Sequence, residues 1–511
     1  SFSNSNSDVK RGRTSYGLRG GIEFILGQLD ILTFGGRYGY REGERTSTKN
    51  YTEWTSSDPQ EIIYLSNSDR SRSGPYYSLN SNYVHKFNPD NNHQVIGELY
   101  YRHRNSDEVT LTSDLSDGVQ FGGRETTEKG PSFHFRGKID YTLPFNEFNK
   151  LETGYKGEIH QSEDRNGFYE YNPETFEYEY QPQFSNNNTY NRIEHAFYSM
   201  YADKIENLLI QAGLRTEYSY RLIEVPDNNQ EFIINRWDLF PSFHSSYKFE
   251  SGLQLIASYS RRIERARGWA LEPFDTWIDA NNVRRGNPDL QPEFIDSYEA
   301  GMQTYFGEVS LSTEFYYRIT HNKRERVRSI FEENVTLTTF ENVGTDHSIG
   351  GEILLNFNPL TFWNINLMGN LYHYKVEGIL YERDFSQTSF NWNTRFNNVL
   401  KIGKLTQLQL NLRYSSPTVT SQGEREGFFS TDISVRHDII ENTLAVTLQV
   451  RDIFGTAKYE FTSEGRDFST YTHSTRESPV VMLNLRYTFN NYKPERNRRG
   501  ENGDFDEGDD F

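Results

Sequence analysis

From Val481 to Phe489 the apolar side chains fall on every second residue: Val481, Leu483, Leu485, Tyr487 and Phe489. Met482, Asn484, Arg486 and Thr488 stand between them. A period of two belongs to a β-strand with one apolar and one polar face. The polar face, with its Asn and Arg, suits water. The apolar face ends in Tyr and Phe, as a lipid-facing strand does at headgroup level. The pattern recurs in Leu253 to Tyr259, in Leu405 to Tyr414 and in Leu444, Val446, Leu448 and Val450. Such a chain is expected to fold as an all-β, transmembrane, up-and-down antiparallel β-barrel.

Composition tests this reading. Only 34% of the 511 residues are hydrophobic, and the mean hydropathy of -0.81 would suit a disordered chain. Yet 15% are aromatic, with 35 Tyr and 36 Phe, which disorder does not explain. A barrel reconciles the two, because only alternate residues of its spanning segments meet lipid. No apolar run approaches the length of a transmembrane helix. The absence of Cys removes disulfides, thiolate metal sites and thiol nucleophiles. A net charge of -18 argues against nucleic acid as a partner.

Short and long connections alternate along the chain. The short ones are Gly27 to Asp30, Asn88 to Asn92, Asn146 to Asn149, Lys204 to Asn207, Glu250 to Gly252, Phe306 to Glu308, Asn358 to Thr361, Ile402 to Lys404 and Ile440 to Asn442. Most carry the Gly, Asn, Asp or Pro of tight turns. The long ones include Gly43 to Ser73, Gln161 to Thr189, Glu264 to Pro292 and Tyr414 to Phe428, and all are polar. Short turns at a periplasmic rim and long loops at the outer rim are how outer-membrane barrels are built. The expected organisation is a loop or end of a preceding segment over 1–13, a barrel over 14–489 and a charged periplasmic tail over 490–511. About nineteen strands are expected. The first strand and the last both end at the short-turn rim, so an odd number of strands is expected before residue 1.

Gly286-Asn287-Pro288-Asp289-Leu290-Gln291-Pro292-Glu293, followed by Ser297-Tyr298-Glu299-Ala300-Gly301, resembles the mid-barrel signature of TonB-dependent outer-membrane receptors. Arg451-Asp452-Ile453-Phe454-Gly455-Thr456 is similar to that family's Asp-Ile-Phe-Asn step, with Gly455 where Asn is common. The resemblance covers roughly residues 14 to 489. It implies a barrel of 22 strands, and hence three strands and an N-terminal plug with a TonB box ahead of residue 1. No plug-like α/β segment is readable in the chain, which departs from the family pattern. In the signature, Pro288 and Pro292 fix φ and end a loop, and Gly286 is expected to allow a positive φ. Asp452 is expected to accept bonds from nearby loop amides.

Catalysis finds no support. The histidines are scattered, none has His-Glu-x-x-His spacing, and no Gly-x-Ser-x-Gly or phosphate loop stands out. No enzyme activity, cofactor or metal is expected. Near the outer rim, arginines gather at 261, 262, 265 and 267, at 284 and 285, and at 324, 326 and 328. The candidate ligand residues are Arg261, Arg265, Trp269, Trp277, Arg284 and Arg285, guanidinium groups for anions and indoles for stacking. The competing reading pairs these arginines with loop carboxylates as structural bridges. At the level of function, the resemblance implies a nutrient importer working in outer-membrane lipid with a TonB complex, and with a surface lipoprotein or other envelope protein as a further partner. The alternative is a receptor-like barrel that serves as a scaffold in an outer-membrane complex.

Overall fold

The computed structural model describes residues 2–56, 59–88 and 92–488. Phe489 and the expected tail 490–511 lie outside the described residues. Among the described residues, twenty-two strands hydrogen-bond in one sheet. Three of them, Glu177–Tyr180, Asp275–Asp279 and Asn282–Arg285, are short and sit in connections. The remaining nineteen long strands match the expected number. The total of 22 thus arises from connection strands. A separate four-stranded sheet is made by Thr418–Thr420, Gly423–Arg425, Lys458–Glu464 and Ser469–Thr475.

The contacts divide the chain into two units. The first is Ser1–Ser245, Ser258–Pro292 and Arg324–Asn342; the second is Ser246–Ala257, Glu293–Lys323 and Val343–Phe511.

In the second unit the register carries the sequence pattern from strand to strand. Phe357 stands opposite Ile365, and Leu410 opposite Ile433. Ile433 stands opposite Val450, which faces Val481. The alternate positions form a polar ladder: Asn356, Asn366, Asn397, Asn411 and Asp432 each face the next across the strand pairs. A one-residue slip in any strand would put an Asn among the apolar rows, so both faces hold the register. The apolar face of the last strand is open, with Leu483 and Leu485 each 67% exposed, as lipid-facing residues must be.

In the first unit the strands outrun the expectation. Phe2–Leu26, Asp30–Trp54 and Ile62–Lys86 are 25 residues each. At about 3.3 Å per residue a strand of this length reaches about 80 Å, whereas the apolar band of an outer-membrane barrel is about 25 Å tall. The apolar rows occupy the end near the short turns, and the remainder projects beyond them. Residues 2–13, read from sequence as an end of a preceding segment, belong to the strand Phe2–Leu26 and pair with Gly43 through Trp54. The expected loop Gly43 to Ser73 is the upper part of a hairpin, with Arg45 opposite Arg70 and Glu53 opposite Ile62. The reason is physical. Outside lipid both faces meet water, so Ser, Thr, Asn and Arg occupy both faces and the period-two signal disappears. Cross-strand hydrogen bonds still satisfy the backbone.

Candidate functional site

The connection between Glu264 and Glu293 gathers the functional candidates of the first unit. A short 3-10 turn, Gly268–Leu271, starts it. Ala266, Ala270, Leu271 and Leu290 then close on Ile223 as a small buried apolar cluster, with Tyr190, Phe232 and Phe340 packed against it. The Gly-Asn-Pro segment is tied into this cluster. Gly286 N–H donates to the Glu272 carbonyl at 2.7 Å, and Asn287 N–H to the Ala270 carbonyl at 2.7 Å. The Asn287 side chain donates to the Phe340 carbonyl at 3.1 Å.

Gly286 corrects the expectation made for it. It is not among the positive-φ glycines. A Cβ there would lie 2.3 Å from the Trp269 carbonyl oxygen, so glycine is required for close approach of two backbones. Gly455, by contrast, has φ 61° and follows Asp452 at φ 46°, a conformation that Gly and Asn both accept. As expected, the Asp452 carboxylate accepts from Thr456 N–H at 3.0 Å and Ala457 N–H at 3.1 Å. It also accepts from the Ser478 hydroxyl at 2.9 Å.

All six candidate ligand residues are engaged by neighbouring groups. Arg265 lies 3.2 Å from Glu194 and 2.6 Å from Glu217, and donates to the Ser219 hydroxyl at 2.7 Å. Arg284 lies 3.4 Å from Glu272. Arg285 grips Asp275 with two parallel bonds of 2.7 and 2.8 Å. Trp269 packs on Phe340 at 4.6 Å between ring centres, with Arg284 and Arg326 over its ring. Trp277 carries the Arg124 guanidinium 3.8 Å from its ring centre. Arg261 is half-buried and also engaged. The cavity beside Arg265, lined by Arg192, Glu194, Arg221, Arg236 and Asp238, has a volume of about 30 Å³, enough to admit water.

The tip of the connection docks on the long hairpin. Lys49 meets the Asp279 carboxylate at 2.5 Å, and the Tyr51 hydroxyl donates to it at 3.2 Å. Asn281 donates to Glu53 at 2.5 Å. Burial opposes the Asp279 charge, but Lys49 and the amides of Asn282 and Asn281 hold its carboxyl below the usual range. Farther down, Glu128, Asp164 and Glu272 are sequestered with Glu108 among Arg72, Arg104 and Arg284. Burial, then the Glu128 charge, pushes Asp164 up to about 6 and Glu272 up to about 8. Glu128 is itself raised, by burial and then by Glu108. Sequence reading did not find this cluster. Its members come from four separate strands and loops, and nothing local marks them.

Residues 99–487 match the profile of the outer membrane protein beta-barrel family. The chain therefore belongs to that family, and its setting is the bacterial outer membrane. Its polar strand face is accordingly a lumen face. Comparison with curated proteins found no match. Solved structures share the fold. The ferric yersiniabactin uptake receptor FyuA from Yersinia pestis aligns with a TM-score of 0.57 at 11% identity, over 95% of this chain and 80% of that one. The copper transporter OprC gives 0.57 at 13% identity, over 90% and 75%. The ferripyoverdine receptor of Pseudomonas aeruginosa gives 0.55 at 11%, over 94% and 71%. The fold is that of TonB-dependent receptors, and these neighbours are transporters and receptors, not enzymes.

Proposed function

We propose that the chain is the barrel of an outer-membrane receptor that imports a nutrient, energised through a TonB complex. The observation that carries this reading is the fold, shared over 90% or more of the chain with a copper transporter, a ferripyoverdine receptor and a ferric yersiniabactin uptake receptor. The polar ladder on the inner face supports it, because conduction needs a wettable lumen. So do the ordered outer loops, where such receptors would capture a solute. Arg285 keeps a side chain 42% exposed while held by Asp275, and we assign it the ligand contact at the rim. Arg261, Arg265, Trp269, Trp277 and Arg284 shape the surface around it. A surface lipoprotein over this mouth would fit the same reading.

The test is deletion of the gene in its own host, with uptake measured for radioiron citrate, radiocopper, labelled oligopeptides and labelled glycans. Loss of uptake of one of these, restored by the wild-type gene, supports import. Unchanged uptake of all, with a stable stoichiometric complex of the chain and other envelope proteins, would leave the scaffold reading. Within an importing strain, Arg284→Gln with Arg285→Gln separates the rim roles. Lost uptake at unchanged barrel amount and heat resistance supports a ligand contact, whereas lost heat resistance with normal uptake leaves a structural one.

A further inference from the structure

The separate four-stranded sheet is built from two connections of the second unit. Thr418–Thr420 and Gly423–Arg425 lie between the strands Thr406–Ser415 and Phe428–Ile440. Lys458–Glu464 and Ser469–Thr475 lie between Leu444–Arg451 and Val480–Tyr487. Both connections leave the strand ends opposite the short turns Ile402 to Lys404 and Ile440 to Asn442, so the sheet stands on the cell-surface side. Ser469–Thr475 is its terminal strand and pairs with Lys458–Glu464. The pairing runs from Lys458 opposite Thr475 to Glu464 opposite Ser469 without a bulge. Gly465 N–H donates to the Phe468 carbonyl at 2.9 Å in the turn between them, and this bond sets the alternation of the ladder. Bonded pairs then fall at Ser463 with Thr470, Phe461 with Thr472 and Tyr459 with Ser474. The N–H and C=O groups of Ser469, Tyr471, His473 and Thr475 therefore point outward from the sheet edge.

Natural sheets blunt an open edge with charge, proline, a bulge or short length. The other edge of this sheet, Thr418–Thr420, is three residues long and follows Pro417. Ser469–Thr475 has none of these devices. It is seven residues long, made of Ser, Thr, Tyr and His, without Lys, Arg, Asp, Glu or Pro. One face of the sheet is covered, and Ser463 on it is 1% exposed. The other face is open and acidic. Glu460 and Glu464 share it with Tyr471 and His473, because opposed and alternate residues lie on one face. Glu424, opposite Thr462, and Glu426, whose N–H donates to the Glu460 carbonyl, extend it. Tyr471 is 65% exposed there. His473 Nδ1 lies 2.7 Å from the Glu460 carboxylate, and the Tyr471 hydroxyl donates to it at 3.1 Å. These bonds hold the Glu460 carboxyl below its usual range. Among the described residues, Glu424, Glu426 and Glu464 form no ion pair.

An open edge offers main-chain bonds to an added strand, and the side chains at alternate positions give selectivity. We propose that Ser469–Thr475 receives an extended, lysine- or arginine-bearing segment of a partner protein at the cell surface, as a fifth strand of this sheet. The cations of that segment lie on the face that carries Glu424, Glu426, Glu460 and Glu464. A residue opposite Tyr471 or His473 shares their face and exchanges both backbone bonds with them, so the basic residues of the partner take the bonded positions. A second copy of the chain fits worse. Two such edges paired antiparallel would set two acidic faces side by side, and like charges across a strand pair destabilise it. The edge makes no use of the barrel lumen, so it serves an importer and a scaffold alike.

The full chain, purified in detergent micelles, is titrated at low salt with fluorescein-labelled Lys-Thr-Lys-Thr-Lys-Thr-Lys, read by fluorescence anisotropy. The expected result is binding that weakens with salt. N-methylation of the lysine amides keeps every charge and should weaken binding at least about tenfold. N-methylation of the threonine amides, which point outward, should leave it unchanged. Tyr471→Pro closes the edge without removing a ladder bond, because that N–H points outward, and should also weaken binding at least about tenfold. Tyr471→Ala should keep more of the affinity. Glu424→Gln with Glu464→Gln should weaken binding severalfold and lessen its salt dependence. No binding of the peptide to the wild type, equal affinity for the two N-methylated forms, or equal affinity in wild type and Tyr471→Pro overturns the added strand. Equal binding of a peptide with Glu in place of Lys overturns the basic partner. So does a dimer in sedimentation that Tyr471→Pro abolishes and that binds no peptide, which would give the edge to a second copy. If Tyr471→Pro lowers the heat-resistant folded band, the two N-methylated peptides on the wild type decide the matter.

Discussion

The guanidinium of Arg221 donates to the Pro288 carbonyl at 2.5 Å. A second bond reaches the Leu290 carbonyl at 3.3 Å. One arginine on the strand Leu208–Val225 therefore clasps the turn that follows Asn287, while Leu290 beside it is only 1% exposed. The Gly-Asn-Pro segment is an anchor for the connection that carries the rim arginines. Its prolines leave carbonyls without competing amide donors, and Arg221 uses one of them.

Arg221→Gln should release this anchor. Hydrogen bonds from a charged donor contribute about 1.5–3 kcal/mol each, and the side chain is buried, so no water replaces it at once. The expected outcome is faster protease cleavage between residues 264 and 292 with unchanged far-ultraviolet circular dichroism. Cleavage at the wild-type rate would show that the apolar cluster alone holds the loop.

The faces of the last strand can be tested directly. Leu483 stands opposite Leu448, and Asn484 opposite Thr447. An arginine on the lipid face near mid-membrane costs about 2–4 kcal/mol, and on the lumen face far less. Leu483→Arg should thus reduce the heat-resistant folded band on gels much more than Asn484→Arg. Equal reductions would mean that the register is shifted by one residue.

The strands near lipid were legible in sequence because lipid imposes the alternation. Eight of the nine short turns fall at strand junctions among the described residues to within about two positions, since Gly27, Gly252, Gly307 and Gly403 carry the positive φ of tight turns. The ninth, Asn88 to Asn92, lies partly outside them. Above the membrane nothing enforces a period, so Phe2 to Arg13 and Gly43 to Ser73 read as loops although they are paired strands. Arg284 and Arg285 were found from their clustering, but their partners Glu272 and Asp275 depend on how the loop folds back. The cross-strand row that runs from Arg19 through Arg37, Ser78, Arg102, His134, His160 and Arg192 to Arg221 could not be found without the register, because its consecutive members are 18 to 41 residues apart in sequence, on eight strands.

The carboxyls under the loop give the connection a pH dependence with a definite sign. Asp164 is raised from 3.8 to about 6 and Glu272 from 4.5 to about 8, burial being the largest cause for both. An acid raised in this way keeps a proton in the folded loop that the unfolded loop has already released. The folded state therefore binds more protons between the two values, and stability falls as pH rises there. The contribution is complete below about pH 4 and is lost as pH passes about 6 for Asp164 and about 8 for Glu272. Arg284, 3.4 Å from Glu272, moderates the rise without cancelling it. Protease cleavage within 264–292 should accordingly be slowest in mild acid and quicken toward about pH 9. Glu272→Gln, which imitates the protonated form, should flatten the upper part of this profile and leave the part governed by Asp164. A wild-type profile flat from mild acid to pH 9 would mean that Arg72, Arg104 and Arg284 already hold both carboxylates ionised.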